Sequence, residues 1–131
     1  MTRPRAILTI ACMARPLRVA FDVRMAGSSG IGTYVDALVD HLSREDSLEL
    51  RPVRSGAGIY SLREQLTLPP RALGADLFHA PHYNAPLAAP CPLVATIHDL
   101  AHLALPEIFR GRAMRIYANA MLRGTLARAR R

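Results

Sequence analysis

From Leu17 onward, the chain alternates between short, almost wholly apolar runs and longer amphipathic ones. LRVAFDV, Leu17 to Val23, has the pattern of a strand covered on both faces. RMAGSSG follows, and its small residues cannot continue a strand. Ile31, Val35, Leu38 and Leu42 then recur at helical spacing, with Asp36, Asp40 and Arg44 off that stripe, which predicts an amphipathic helix starting near Gly32. A second strand is predicted over Leu48 to Val53, then a helix over Ser61 to Leu73 interrupted at Pro69-Pro70. Short strands are predicted at Asp76 to His79 and Leu93 to Ile97, separated by a proline-rich loop. The last element, from about Arg112 to Arg130, is a helix with Arg112, Arg115, Asn119, Arg123 and Arg130 on one stripe and Tyr117, Met121 and Leu122 elsewhere. This alternation predicts an α/β fold: a Rossmann-like parallel sheet with crossover helices.

A chain of 131 residues fits one domain. Residues 1–16 read as an N-terminal extension, disordered or a mis-assigned start with Met13 as the natural initiator. Residues 17–131 read as the domain. The formal charge of +7 is local rather than general. Seven arginines fall between Arg110 and Arg131, whereas all ten acidic residues precede Arg110 and balance the ten other arginines. With no aromatic platform beside that segment, a nucleic-acid partner is not expected. The chain has no lysine, which excludes a Walker loop, a Schiff-base lysine and a Tyr-x-x-x-Lys pair. Cys12 and Cys91 form no disulfide framework, and no apolar run is long enough to span a bilayer, so the expected location is cytoplasmic.

In open parallel sheets, ligands bind beyond the carboxyl ends of the strands. Those ends carry Asp22 and Arg24 after the first strand, His79 after the third, and His98 with Asp99 after the fourth. Asp22 and Arg24 either face substrate or pair with each other. GSSGIGTY, Gly27 to Tyr34, joins strand to helix, where glycines let the backbone approach an anion at the helix N-terminus. His98 can donate a hydrogen bond to a sugar hydroxyl or move a proton, and Asp99 can fix its tautomer or cap the next turn. His79-x-x-His82 and His98-x-x-x-His102 lack further ligands at convincing spacing, so no metal is expected.

Three segments taken in order, VAFDVRMAGSSGIGTYVDAL, LREQLTLPPRALGADLFHAPHYNAPL and PLVATIHDLAHLALPEIF, resemble the family 4 glycosyltransferases of the GT-B fold, in particular the bacterial mannosyltransferase-type members. The resemblance covers Leu17 to Arg131. It implies the N-terminal, acceptor-side half of a retaining, nucleotide-sugar-dependent enzyme that builds a polysaccharide or glycolipid. Gly30, Ile31 and Gly32 would lie against the donor diphosphate, and His98 would contact the donor sugar near the reacting carbon. No cofactor or catalytic metal is implied, the nucleotide sugar being a co-substrate. Partners would be that donor, a carbohydrate or lipid-linked acceptor, and a C-terminal domain with paired glutamates that these residues do not include, so the chain alone is expected to be inactive or nearly so. The arginine-rich last helix could also touch the inner face of the membrane.

Two other readings stay open. One is a nicotinamide-dependent oxidoreductase fragment, although Pro52-Val53-Arg54 stands where a ribose-binding acid would be expected. The other is a non-catalytic anion- or membrane-binding module. The glycosyltransferase reading requires the Gly30–Gly32 amides and the His98 imidazole to share one rim of the sheet.

Overall fold

The computed structural model describes residues 15–28, 30–100, 104–105 and 111–129. The N-terminal extension up to residue 14, and with it Cys12, lies outside the described residues, as do Ser29, His102, Arg110, Arg130 and Arg131. The described chain is an α/β fold with an open, all-parallel sheet of four strands and three α-helices.

In chain order these are β1 (Leu17–Asp22), α1 (Ile31–Leu42), β2 (Leu48–Val53), α2 (Leu62–Thr67), a 3-10 turn (Pro69–Ala72), β3 (Leu77–Ala80), β4 (Leu93–Ala95) and α3 (Arg112–Arg128). The sheet order is β2-β1-β3-β4. Leu17 pairs with Leu48, Val19 with Leu77 and Phe78 with Leu93. β1 is central, and its last four residues are all buried, as its apolar run requires.

Alternation along the strands sends successive side chains to opposite faces. Ala20, Phe78, Ala80 and Leu93 pack with Leu68 and Ala72 from the α2 side. Phe21 and Val23 pack instead on Val35 of α1, joined by Ile31, Leu38 and Leu42. A third cluster seats Ala118, Met121 and Leu122 of α3 on Tyr83, Leu87 and Ile97. Gly124 permits that approach, because a Cβ there would come within 2.6 Å of Leu87 Cδ1.

Several boundaries differ from the sequence reading. The helix over Ser61 to Leu73 breaks where expected, α2 ending at Thr67 and a 3-10 turn following at Pro69 and Pro70, which lack the N–H that an α-helix would use, whereas the strand bounds shift. The fourth strand ends at Ala95 rather than Ile97, and the third starts one residue late. Asp76 stands at the entrance of β3, its backbone N–H donating to the Arg18 carbonyl at 2.8 Å and its carboxylate occupied. It takes a bidentate pair from Arg15 at 2.7 and 2.8 Å and the backbone N–H of Arg18 at 2.9 Å. These partners hold its pKa far below the usual carboxylate range, the Arg15 contact being the largest cause. After α3, Ala129 returns to extended backbone and makes an isolated parallel bridge to Leu93 on the outer side of β4.

Candidate functional site

The turn after β1 is built so that only glycine fits at two of its positions. Gly30 has φ 65° and ψ −104°, a backbone conformation that L side chains avoid. At Gly32 a Cβ would lie 2.6 Å from the carbonyl oxygen of Met25 and 2.7 Å from Ser28 Oγ. The chain therefore folds tightly against itself before entering α1, with Ile31 as the first helical residue. Among the described residues no side chain caps that helix start, and its first turn carries no acid. The amides at the start of a helix have no intrahelical partner and give that end positive partial charge.

The rim of the sheet supplies the facing groups. Tyr34, one turn into α1, places its hydroxyl 3.1 Å from Thr96 Oγ1, just beyond β4. Thr96 also lies 3.3 Å from His79 Nε2 on β3. The ring of Tyr34 meets His98 edge-on, with centroids 4.9 Å apart at 82°. The start of α1 and the ends of β3 and β4 thus converge on one polar line, His79–Thr96–Tyr34–His98. The Gly30–Gly32 turn and His98 lie on this same rim.

His98 Nε2 is 2.9 Å from the carbonyl oxygen of Pro81. A carbonyl only accepts, so Nε2 carries a hydrogen and donates it, and in the neutral form of this exposed ring the lone pair is on Nδ1. The second nitrogen of His98 is an acceptor in that neutral tautomer and a donor when the ring is charged. Asp99 is exposed beside it, and its charge reaches His82 and Tyr83. His79 is half-buried, edge-on to Phe21 at 4.7 Å, and burial pushes its pKa down.

Asp22 and Arg24 turn inward. Arg24 donates from Nε at 2.9 Å and Nη2 at 2.7 Å to the two oxygens of Asp22, and from Nη1 to Glu64 Oε2 at 2.6 Å. Burial pulls this guanidinium's pKa down, but the two carboxylates outweigh it and the net shift is upward. Glu64 is wholly buried in α2, and its Oε1 accepts from Tyr117 of α3 at 2.6 Å and from the Asn84 amide. The Tyr117 hydroxyl is pushed up by burial and by Glu64. One carboxylate therefore ties the β1 turn, α2, the loop after β3 and α3 together behind the rim. Asn84 Oδ1 has no partner among the described residues.

A second set of aromatic groups borders the same region. Tyr60 sits at φ 65°, strained for a non-glycine residue, with its ring against His82 and Tyr83 at 5.6 and 6.1 Å. His82 Nδ1 accepts the Asn84 N–H at 3.3 Å and Nε2 lies 3.3 Å from Tyr60 Oη. Burial, then the neighbouring His98, bring the His82 pKa down to about 4. Among the described residues no group of three or more His, Cys, Asp or Glu side chains is arranged to hold a metal ion, and no helix is long and apolar enough to cross a membrane.

The sequence reading gave no role to Tyr34, Thr96, Glu64, Asn84 or Tyr117. Tyr34 and Thr96 sit inside motifs singled out for their glycines and histidine, so their proximity to those groups was the available signal. Glu64, Asn84 and Tyr117 carried none, because three distant segments must fold together before they meet. A groove of about 380 Å³ opens beside the turn after β1, between α1 and the end of β2, lined by Val23, Ala26, Asp36, Asp40, Ser43 and Arg54 among others, and none of the rim histidines lines it. Comparisons of this chain with protein-family models, with curated proteins and with solved structures find no match.

Proposed function

We propose that this chain forms the acceptor-side half of a retaining glycosyltransferase that takes a nucleotide sugar, transferring a hexosyl group, with mannosyl the leading candidate, to a polysaccharide or glycolipid acceptor. One observation carries the reading: the glycine-built start of α1 and the exposed His98 share a rim, bridged by the Tyr34 ring at 4.9 Å. A diphosphate suits the first, being an anion that backbone N–H groups at a helix start can hold. A sugar suits the second, since hydroxyls both donate and accept, and the Nδ1 lone pair of His98 can accept from one of them. Tyr34 and Thr96 extend the same hydroxyl-bonding surface, and the Asp22–Arg24–Glu64 brace keeps its floor rigid.

Transition-state charge on a departing nucleotide needs groups facing the diphosphate from the opposite side. In the resembled family a second domain supplies them. Weak donor binding and little or no transfer are therefore expected from these residues alone.

The test is a nuclear magnetic resonance titration of the 131-residue chain with GDP-mannose, UDP-glucose, inorganic pyrophosphate and NAD. Amide shifts are expected at Gly30 to Tyr34 with any of the diphosphates, and at Thr96 to His98 only with the sugar nucleotides. A response to NAD alone, or sugar nucleotides perturbing residues away from this rim, would overturn the reading.

A further inference from the structure

The end of β2 lacks the acid of a ribose site and carries a different chemistry. The strand closes on Arg51-Pro52-Val53, Arg54 follows, and a pocket of about 270 Å³ opens there against the 3-10 turn. Its walls are Arg51, Pro52, Val53, Arg54 and Arg71, three guanidinium side chains and no carboxylate. Arg51 faces the turn because Val53, two residues on, packs on that side with Leu68 and Ala72.

Neutral groups hold this arrangement in place. Arg51 Nη1 donates to the Leu73 carbonyl at 3.3 Å, and Arg71 Nη1 donates to the Thr67 carbonyl. The hydroxyls of Ser55 and Thr67 meet at 2.9 Å and tie the loop after β2 to the end of α2. Ser55 Oγ also accepts the Ala57 N–H at 3.1 Å, which fixes that loop's turn. Among the described residues none of the three arginines makes an ion pair. The acids of the adjoining groove are engaged. Asp36 accepts the Gly27 N–H at 3.0 Å, and Asp40 pairs with Arg44 at 2.7 Å. That groove shares only Pro52 and Arg54 with this pocket, and Glu49, two residues before Arg51, lines neither. Three like charges drawn from a strand, a loop and a turn thus surround one concavity, and their repulsion is relieved by an anion.

We infer that this pocket binds the terminal phosphoryl group of a soluble phosphomonoester. Such a group carries a charge of about −1.5 to −2 at neutral pH and three acceptor oxygens, which matches three guanidinium groups. A carboxylate or a phosphodiester brings a single charge and two free oxygens, leaving one guanidinium unmatched. Nucleic acids and the common membrane lipids present diesters and fit less well for that reason. The inference stands apart from the glycosyltransferase reading. None of His79, Thr96, Tyr34 and His98 lines the pocket, and a sugar nucleotide has no terminal phosphoryl group.

A nuclear magnetic resonance titration of the full chain tests it, with inorganic phosphate, glycerol 3-phosphate, dimethyl phosphate and acetate at equal ionic strength. The amides of Arg51, Val53, Arg54 and Arg71 are expected to shift with the first two and not with the last two. Arg54→Gln should weaken glycerol 3-phosphate about tenfold, and Arg54→Gln with Arg71→Gln about 100-fold, at one charge-assisted hydrogen bond per guanidinium. An Arg115→Gln, Arg123→Gln variant removes the same charge from α3, outside the pocket, and should bind like the parent. All four of these arginines are exposed, and circular dichroism verifies that each variant folds. No shift at the pocket amides, an equal response to dimethyl phosphate or acetate, or a response to inorganic phosphate without one to glycerol 3-phosphate would overturn the inference. So would a pocket double variant that binds like the parent, or an α3 variant that loses as much. Shifts at Gly30 to Tyr34 bear only on the rim, so the two readings can fail separately.

Discussion

Replacing Arg24 by methionine removes the one cation that two buried carboxylates share. The Arg24 side chain is 7% exposed, that of Asp22 7% and that of Glu64 0%. After Arg24→Met, Asp22 and Glu64 face each other's field with only neutral donors left, chiefly Tyr117 and Asn84 on the Glu64 side. Breaking a buried pair from one side costs roughly 3–5 kcal/mol, and here two acids are stranded, so about 4 kcal/mol or more is expected. That is a large share of the roughly 5–15 kcal/mol that holds a domain together. Glu64→Leu strands less, because Arg24 keeps its bidentate pair with Asp22, and should cost about 3 kcal/mol. Glu64→Gln should cost only about 1 kcal/mol, since its carbonyl can face Arg24 while its amide faces Tyr117 and a flipped Asn84. That flip is available because Asn84 Oδ1 has no partner to lose. Urea unfolding followed by circular dichroism at neutral pH reads all three. With a slope of roughly 2 kcal/mol per molar, the Arg24→Met midpoint should fall by about 2 M. An Arg24→Met midpoint near that of the parent, or a glutamine variant as unstable as the leucine one, would refute the account of this brace.

Two more outcomes follow from the geometry of the same region. Gly32→Ala should destabilise by about 2 kcal/mol, because its Cβ meets the Met25 carbonyl, a backbone atom that cannot swing aside. Gly124→Ala should cost clearly less although its nearest contact is also 2.6 Å, because that contact is a Leu87 methyl that can rotate; equal thermal shifts for the two variants would contradict this. Acid sensitivity should trace to His82, whose folded pKa of about 4 lies below the ~6.5 of an unfolded histidine. The unfolded chain takes up this proton first. The contribution is therefore complete above about pH 6.5 and drains away as pH falls toward 4, by up to about 2 kcal/mol after allowance for partial exposure. His82→Gln should flatten the stability profile in that window, and an unchanged slope would rule His82 out as its source.

The linear pattern of this chain determined the order and kind of its elements. β2 has the bounds its apolar run predicts, Leu48–Val53, and α1 starts one residue from where the stripe of Ile31, Val35, Leu38 and Leu42 places it. Both follow from local rules, since periodicity and glycine placement act within a few neighbouring residues. The need for glycine at position 30 is local in the same way. Tertiary structure alone decided what Asp22, Arg24 and His98 do. Asp22 and Arg24 end a strand as open groups would, yet a carboxylate forty residues further on at Glu64 draws the guanidinium inward. The Pro81 carbonyl, seventeen residues before His98, accepts from its Nε2 and so places the lone pair of the neutral ring on Nδ1. Burial and hydrogen-bond partnership depend on which segments meet across the sheet. One-dimensional spacing carries the period of an element, while the desolvation and pairing that set a side chain's chemistry arise only when distant elements close around it.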